Sequence, residues 1–136
     1  MKFVLDCSVA ASWCFEDETT SYTEKVLTTL NKNYQARVPS LWPFEMSNVL
    51  LLAERKKRVG LLTISTFKNT LSILPIEVDH GATDRALDTI FELGREMQLT
   101  AYDAAYLELA FREKIPLASL DKTLVRAARE INIAIF

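Results

Sequence analysis

Short apolar segments alternate with longer amphipathic segments along the whole chain. The apolar segments have the length of buried strands, and they are KFVLD, ARVPS, PIEVD, PLAS and NIAIF. Between them apolar residues recur at helical spacing, as they do from Thr20 to Lys32. Strands that alternate with helices favour a parallel sheet covered on both faces, because a crossover between parallel strands is usually a helix. The pattern therefore predicts an α/β protein with a mostly parallel sheet of about five strands.

Several of the predicted helices have recognisable ends. Pro43 suits a first helical position, and the helix that it begins runs to about Arg58 and ends at Gly60. The segment ATDRALDTIFELGREMQ is predicted to form one helix. Its core stripe consists of apolar residues at helical spacing: Ala86, Leu87, Ile90, Phe91 and Leu93. A later helix, AYDAAYLELAFREK, is rich in alanine, which permits close packing.

Length and charge limit the kinds of protein that this chain can be. A chain of 136 residues has the usual size of one domain, so residues 1–136 are predicted to form a single domain. The net charge is −2, from 16 basic and 18 acidic residues. Nucleic-acid binders usually carry a basic excess. Contact with phosphates would therefore depend on a local patch or on bound cations.

The cysteines, the histidine and the N-terminus narrow the chemistry further. The spacing of Cys7 and Cys14 fits neither a C-x-x-C pair nor a disulfide framework, so both are predicted to be reduced thiols. His80 is the one histidine, which argues against a histidine-based zinc site or a Ser-His-Asp triad. The N-terminus reaches an acid after five residues, so no apolar run typical of a signal peptide is expected there. No apolar run in the chain is long enough to span a bilayer. We expect a soluble, cytoplasmic protein.

Four carboxylates stand where the predicted strands end or the following helices begin. Asp6 ends the first strand, and Asp121 follows the fourth. Glu45 and Asp103 fall in the first turn of two helices. Helices that run antiparallel to the strands begin at the carboxyl ends of the strands, where open α/β sheets bind their ligands. All four acids are therefore expected at the same end of the sheet.

Each acid alone is also explained by its place at a helix start. Asp6 and Asp121 suit helix caps, Asp103 fits a capping box with Thr100, and an acid at Glu45 complements the helix dipole. Together they lie in apolar contexts, where crowded carboxylates repel one another unless a cation binds. Oxygen ligands without histidine or cysteine suit Mg²⁺ or Mn²⁺. Such ions activate water for phosphodiester cleavage.

Four segments resemble the PIN-domain family, and specifically the VapC-type toxins of toxin–antitoxin pairs: FVLDCSV, PSLWPFEMSNVL, LTAYDAAYLELA and IPLASLDKTLVRAA. The resemblance covers nearly the whole chain. It implies a three-layer α/β/α fold, a Mg²⁺- or Mn²⁺-dependent endoribonuclease, inhibition by a VapB-type antitoxin, and a homodimer. Carried over by position, the acidic set that would hold metal and act in catalysis is Asp6, Glu45, Asp103 and Asp121.

Other polar residues near these acids are candidates for supporting roles. Ser8 and Ser119 match hydroxyl positions of the family beside the first and fourth acids. Asn48 follows Glu45 by one helical turn and could orient it or a metal-bound water, although it equally suits a packing edge. Lys122 and Arg126 follow the fourth acid and are candidate phosphate contacts.

Three other functions remain open at the level of sequence. One is a structure-specific DNA nuclease, although 136 residues leave little room for the helical elements that thread a strand. Another is a catalytically silent binding module, in which the acids cap helices or hold a structural ion. A phosphorylated receiver domain also clusters acids after strands, but it needs two adjacent acids near the first strand, and Asp6 is alone.

Overall fold

A computed structural model describes residues 1–136 of the chain. Its four strands are β1 (Lys2–Leu5), β2 (Gln35–Pro39), β3 (Ile76–Asp79) and β4 (Leu117–Ala118). Its eight α-helices are α1 (Cys7–Ser12), α2 (Ser21–Leu30), α3 (Trp42–Arg55), α4 (Leu61–Ile73), α5 (Ala82–Arg85), α6 (Thr89–Met97), α7 (Ala101–Glu113) and α8 (Lys122–Glu130). A short 3₁₀ turn lies at Glu16–Glu18. None of the helices combines the length and apolarity needed to cross a membrane.

The four strands form one parallel sheet in the order β3-β2-β1-β4. In the central strand β1, Val4 pairs with Arg37 on one side and Leu117 on the other. Phe3, Val4 and Leu5 have no solvent exposure, and successive side chains point to opposite faces. Both faces of the sheet are therefore covered by helices, which confirms the predicted three-layer α/β/α fold.

The sheet has one strand fewer than predicted. The segment NIAIF reaches β4 but makes only a single bridge between Leu117 and Ile135. The amide of Leu117 donates to the carbonyl of Ala134 at 2.9 Å, and the amide of Phe136 donates to Leu117 at 2.9 Å. The ring of Phe136 stacks on Phe3 with centroids 4.2 Å apart. Strand β4 has only two residues, so it offers little backbone for a fifth strand to pair with. The packing of Phe136 on Phe3 therefore helps to hold the C-terminus in place.

The single helix predicted for residues 82–98 is wrong, because the chain breaks into α5 and α6. The break lies at Asp88, whose φ of −128° and ψ of −103° are not helical. The predicted core stripe is displaced with it: Leu87 is 95% exposed and Phe91 is 55% exposed. Gly94 is buried instead, and a Cβ there would lie 3.2 Å from the carbonyl oxygen of Leu99. This glycine lets α6 approach the start of α7 closely.

The helix predicted to run from Pro43 to Arg58 ends three residues early, and Gly60 does not end it. Helix α3 stops at Arg55, and Lys57 takes the left-handed conformation with φ 55°. Gly60 instead precedes the first residue of α4. The terminal turn that the glycine suggested forms instead at Lys57, where the amide of Arg58 donates to the carbonyl of Ala53 at 2.8 Å.

Three arginines and four acids from β2, β3, α5 and α7 form a connected ion-pair network that the sequence pattern did not reveal. Its members are Arg37, Arg85, Arg112, Glu77, Asp79, Glu108 and Glu113. The buried Arg37 guanidinium lies 2.6 Å from Glu77 and 2.8 Å from Glu113. Arg112 lies 2.6 Å from Asp79, and these arginines hold the pKa of Asp79 below its usual range despite its burial. Every acid in this network has a cationic partner.

Replacing Arg37 with methionine is expected to lower the free energy of unfolding by about 3 kcal/mol, because Glu113 and Asp79 then lose a buried partner. Chemical denaturation measures this change. The matched control is Arg95→Met, which breaks an exposed pair with Glu92 and is expected to cost less than about 1 kcal/mol. Equal losses in the two variants would contradict a structural role for the network.

Candidate active site

The structure brings the four predicted acids to the walls of one cleft at the carboxyl ends of β1 and β4. The cleft has a volume of about 320 Å³. It is lined by three groups of side chains: the acids Asp6, Glu45, Asp103 and Asp121, the polar Ser8 and Asn48, and the hydrophobic Cys7, Ala11 and Val49. No lysine or arginine lines it, and none of the four acids forms a salt bridge. The cleft is thus an uncompensated cluster of negative charge.

Asp6 is the most deeply placed of the four acids. It follows β1 directly, is 6% exposed, and makes no capping bond to α1. The hydroxyls of Ser8 and Ser119 both donate to its Oδ2, at 2.6 and 2.7 Å. Burial raises the pKa of the Asp6 carboxyl, the two hydroxyls oppose that rise, and the charge of Asp121 adds to it. The helix-cap explanation therefore does not hold for Asp6.

The two serine hydroxyls also connect Asp6 to the loop after β4. Ser119 Oγ accepts from the amide of Asp121 at 3.0 Å, and Ser8 Oγ accepts from the amide of Leu120 at 3.1 Å. Each hydroxyl thus donates to the acid and accepts from the backbone. This arrangement ties the ends of β1 and β4 together beneath the cleft.

Glu45 enters the cleft from the first turn of α3. Its Oε1 accepts a short hydrogen bond from the hydroxyl of Tyr106 on α7. Burial is the main cause that raises the pKa of Glu45, and the charges of Asp6 and Asp103 raise it further. The Tyr106 hydroxyl acts in the opposite direction, because it stabilises the ionised carboxylate.

Asp103 and Asp121 differ in how they are held. Asp121 caps α8, since its Oδ1 accepts from the amide of Leu124 at 2.9 Å. Helix α7 is capped instead by the Thr100 hydroxyl, which accepts from the amide of Asp103 at 3.2 Å. The Asp103 carboxylate itself accepts no hydrogen bond. Burial, with the charges of Asp121 and Asp6, raises its pKa to about 6.

Three of the four carboxylates share one arrangement. Each accepts hydrogen bonds on a single oxygen, which is Oδ2 in Asp6, Oε1 in Glu45 and Oδ1 in Asp121. No side chain donates a hydrogen bond to the second oxygen of any of the three. The donor set is therefore hard oxygen without imidazole, which fits Mg²⁺ or Mn²⁺. In this arrangement no three of these acids lie close enough together to coordinate one ion.

The other predicted residues differ in their relation to the cleft. Asn48 lines the cleft and is exposed. Lys122 is exposed on the first turn of α8 but does not line the cleft. Arg126 is engaged elsewhere, because it pairs with Glu130 at 3.0 Å and contacts the carbonyl of Met97 at 3.4 Å.

Two residues of the site were missed by the sequence analysis. Tyr106 follows Asp103 by three residues, and this helical spacing was the signal that could have identified it. Cys7, a free thiol, lines the cleft next to Asp6. Burial and the charges of Glu45 and Asp6 raise the pKa of the Cys7 thiol to about 12, so it stays protonated. It is not a thiolate ligand at neutral pH.

The raised pKa of Asp103 gives the metal-free protein a testable pH dependence. The folded protein holds this proton up to about pH 6, whereas the unfolded chain loses it near the ordinary value of 3.8. Ionising Asp103 therefore lowers the stability progressively as the pH rises between these values. We expect Asp103→Asn to be more stable than the unsubstituted protein at pH 7.5 by about 1 kcal/mol, after allowing for solvent screening.

Chemical denaturation in EDTA at pH 5 and pH 7.5 measures this difference. The gain from Asp103→Asn is expected to be smaller at pH 5, where Asp103 is largely protonated in the folded state. A gain in stability that is the same at both pH values would contradict the interpretation that burial and the neighbouring charges raise the pKa of Asp103.

Solved structures with the same fold are found at low sequence identity. The crystal structure of PAE2754 from Pyrobaculum aerophilum has a TM-score of 0.69 and 22% identity, over 93% of this chain and 79% of that one. The crystal structure of VapBC2 from Rickettsia felis bound to a DNA fragment from their promoter has a TM-score of 0.68 and 16% identity, over 100% of this chain and 98% of that one. No curated protein matches the sequence.

A model of the PIN domain matches residues 3–130, a span that includes all four acids of the cleft. This match covers nearly the whole chain and agrees with the fold of the two solved structures. The family is in general one of nucleases. The chain therefore belongs to the PIN domain family.

Proposed function

We propose that this protein is a Mg²⁺- or Mn²⁺-dependent endoribonuclease and the toxin of a VapBC-type toxin–antitoxin pair. The observation that carries the proposal is the cleft of four carboxylates with no cationic side chain. The same chain compensates its other acidic cluster with Arg37, Arg85 and Arg112. Carboxylates without a cationic partner repel one another and lower the stability of the fold. A bound cation would supply the positive charge that the cleft lacks.

The four acids of the cleft are the residues that would hold the cation: Asp6, Glu45, Asp103 and Asp121. When bound, a divalent ion lowers the pKa of a water molecule and stabilises the charge that develops on the phosphate. The protein holds Asp6, Glu45 and Asp121 through one oxygen each and leaves the other oxygen available. The Asp103 carboxylate accepts no hydrogen bond, so its side chain can change position when a cation binds.

Helix starts around the cleft favour the approach of a phosphate. Glu45, Asp103 and Asp121 lie at or next to the N-termini of α3, α7 and α8. The amide groups of a helix N-terminus carry partial positive charge and attract anions. Together with bound cations, they allow a chain of net charge −2 to accept RNA. Lys122, exposed on the first turn of α8, remains a candidate phosphate contact, whereas the ion pair of Arg126 makes that residue a weaker one.

The proposed partner is a VapB-type antitoxin. An apolar cleft of about 400 Å³ lies between α3 and α4, and its walls include Trp42, Leu50 and Ile64. Phe44, next to this cleft in sequence and 79% exposed, adds apolar surface near Glu45. An antitoxin segment with apolar anchors suits such a surface. The solved structure of VapBC2 from Rickettsia felis, which shares the fold, is consistent with this pairing.

We also propose that the protein is a homodimer that acts in the cytoplasm. Helices α6 and α7 pack together, and large apolar side chains on or beside them are exposed: Leu87, Phe91, Tyr102 and Phe111. Exposed apolar surface of this kind is typical of protein interfaces. Cys7 and Cys14 are free thiols, which suits a reducing compartment.

Asp6→Asn and Asp103→Asn are each expected to reduce RNA cleavage by about 100-fold or more, because each removes a charge that would bind the metal. Cleavage of total cellular RNA is measured with Mn²⁺ and with EDTA, and EDTA is expected to abolish it. The matched control is Asp84→Asn, an exposed acid outside the cleft, which is expected to leave cleavage unchanged. Full cleavage by both cleft variants would refute the proposal.

The kind of nucleic acid is tested by giving RNA and DNA of the same sequence to the protein side by side. We expect RNA to be cut at least about ten times faster than DNA, corresponding to about 1.4 kcal/mol in the barrier. Preferred cleavage of branched DNA would support the structure-specific DNA nuclease instead. Mn²⁺ binding in calorimetry without cleavage of either substrate would support a catalytically silent binding module.

A further inference from the structure

Tyr106 is the largest side chain of the core that is completely shielded from solvent. It lies on α7, three residues after Asp103, and packs within the main hydrophobic cluster. Its hydroxyl makes one hydrogen bond, which it donates to Oε1 of Glu45 on α3. Helix α7 therefore contacts the acidic cleft twice, directly through Asp103 and indirectly through the Tyr106 hydroxyl.

Glu45 has little else to hold it in place. Its neighbours Pro43 and Phe44 are exposed, and its carboxylate receives no other hydrogen bond. A glutamate side chain has three rotatable bonds, and without a fixed partner it samples several rotamers. The ring of Tyr106, by contrast, is fixed by packing on all sides. A fixed donor in contact with a mobile acceptor restricts the acceptor to one orientation.

We propose that Tyr106 is a positioning residue that binds Oε1 of Glu45 and so directs Oε2 toward the cation of the cleft. This inference rests on the proposed function, because it needs the cleft to bind a divalent ion. The same device is present at Asp6, where Ser8 and Ser119 occupy Oδ2 and leave Oδ1 available. Tyr106 thus donates to one oxygen of Glu45 from a different helix, as the two serines donate to one oxygen of Asp6.

A direct catalytic role for Tyr106 does not fit its surroundings. Its side chain is fully buried beneath Glu45 and does not line the cleft. Burial and the charges of Asp6 and Glu45 raise its pKa above the usual range, so the hydroxyl remains a donor. It therefore acts through Glu45 and does not reach the substrate.

The test is Tyr106→Phe, which removes the hydroxyl and keeps the ring. Calorimetry is expected to show Mn²⁺ binding weakened by about 10-fold, the usual scale for losing a group that orients a metal ligand. In cleavage assays the Mn²⁺ concentration for half activation is expected to rise by a similar factor. The rate at saturating Mn²⁺ is expected to change less, by about 3-fold, because the ligands themselves remain. The matched control is Tyr34→Phe, a tyrosine packed on Phe3 and Phe136 away from the cleft, which is expected to change neither quantity.

A double variant shows whether Tyr106 acts through Glu45. In the Glu45→Gln background, adding Tyr106→Phe is expected to cause no further loss of Mn²⁺ affinity, because residues that act as one unit are not additive. A merely structural role would weaken binding equally in both backgrounds, and that result would overturn the proposal. Wild-type Mn²⁺ affinity in the single variant Tyr106→Phe would also overturn it.

The outcomes separate this inference from the proposed function. If the unsubstituted protein binds Mn²⁺ and cuts RNA but Tyr106→Phe behaves identically, only the inference fails. If the unsubstituted protein binds no Mn²⁺, the proposed function fails and the inference fails with it. Thermal unfolding checks each variant. If Tyr106→Phe does not fold, Glu45→Asp replaces it, because this change keeps the carboxylate but shortens the side chain that Tyr106 holds by one methylene. Unchanged Mn²⁺ affinity in Glu45→Asp would overturn the proposal.

Discussion

The buried carboxylate of Asp6 sits at the end of a strand that is covered on both faces, and the arrangement of the cleft follows from that position. Strand β1 is the centre of the sheet and has no exposed residue after Lys2. An acid placed directly after it is removed from water, which is costly unless hydrogen bonds or charges compensate. Ser8 and Ser119 provide part of that compensation, and in doing so they join the ends of β1 and β4.

The remaining acids make the electrostatic cost greater. Asp121 and Glu45 raise the pKa values of their neighbours, and Asp103 retains its proton up to about pH 6. A chain under selection for stability alone would place an arginine here, as this chain does with Arg37 and Arg112 among the acids of β3 and α7. The chain thus holds two acidic clusters, one paired with arginines and one without a cationic partner, and this contrast supports the proposed cation site.

Much of this protein was predictable because its signals are local. The alternation of apolar segments with amphipathic helices indicated a parallel sheet, and acids at the ends of strands indicated a common edge. The prediction failed where local pattern and packing disagree. The apolar spacing of Leu87 and Phe91 looks like a core stripe, but the break at Asp88 turns these residues to solvent. The segment NIAIF looks like a strand, but β4 is too short to pair with it beyond one bridge.

The sequence by itself determined the fold class, the four acids and their nearest hydroxyls, because each of these depends on residue type and on distance along the chain. Only the tertiary structure decided which groups compensate one another. The bond from Tyr106 to Glu45 spans 61 positions, and the pairing of Arg37 with Glu113 spans 76. No periodicity encodes such contacts, since they depend on how α7 lies against β2 and α3. The sequence thus identifies the charges, and the packing of distant helices decides which of them remain uncompensated.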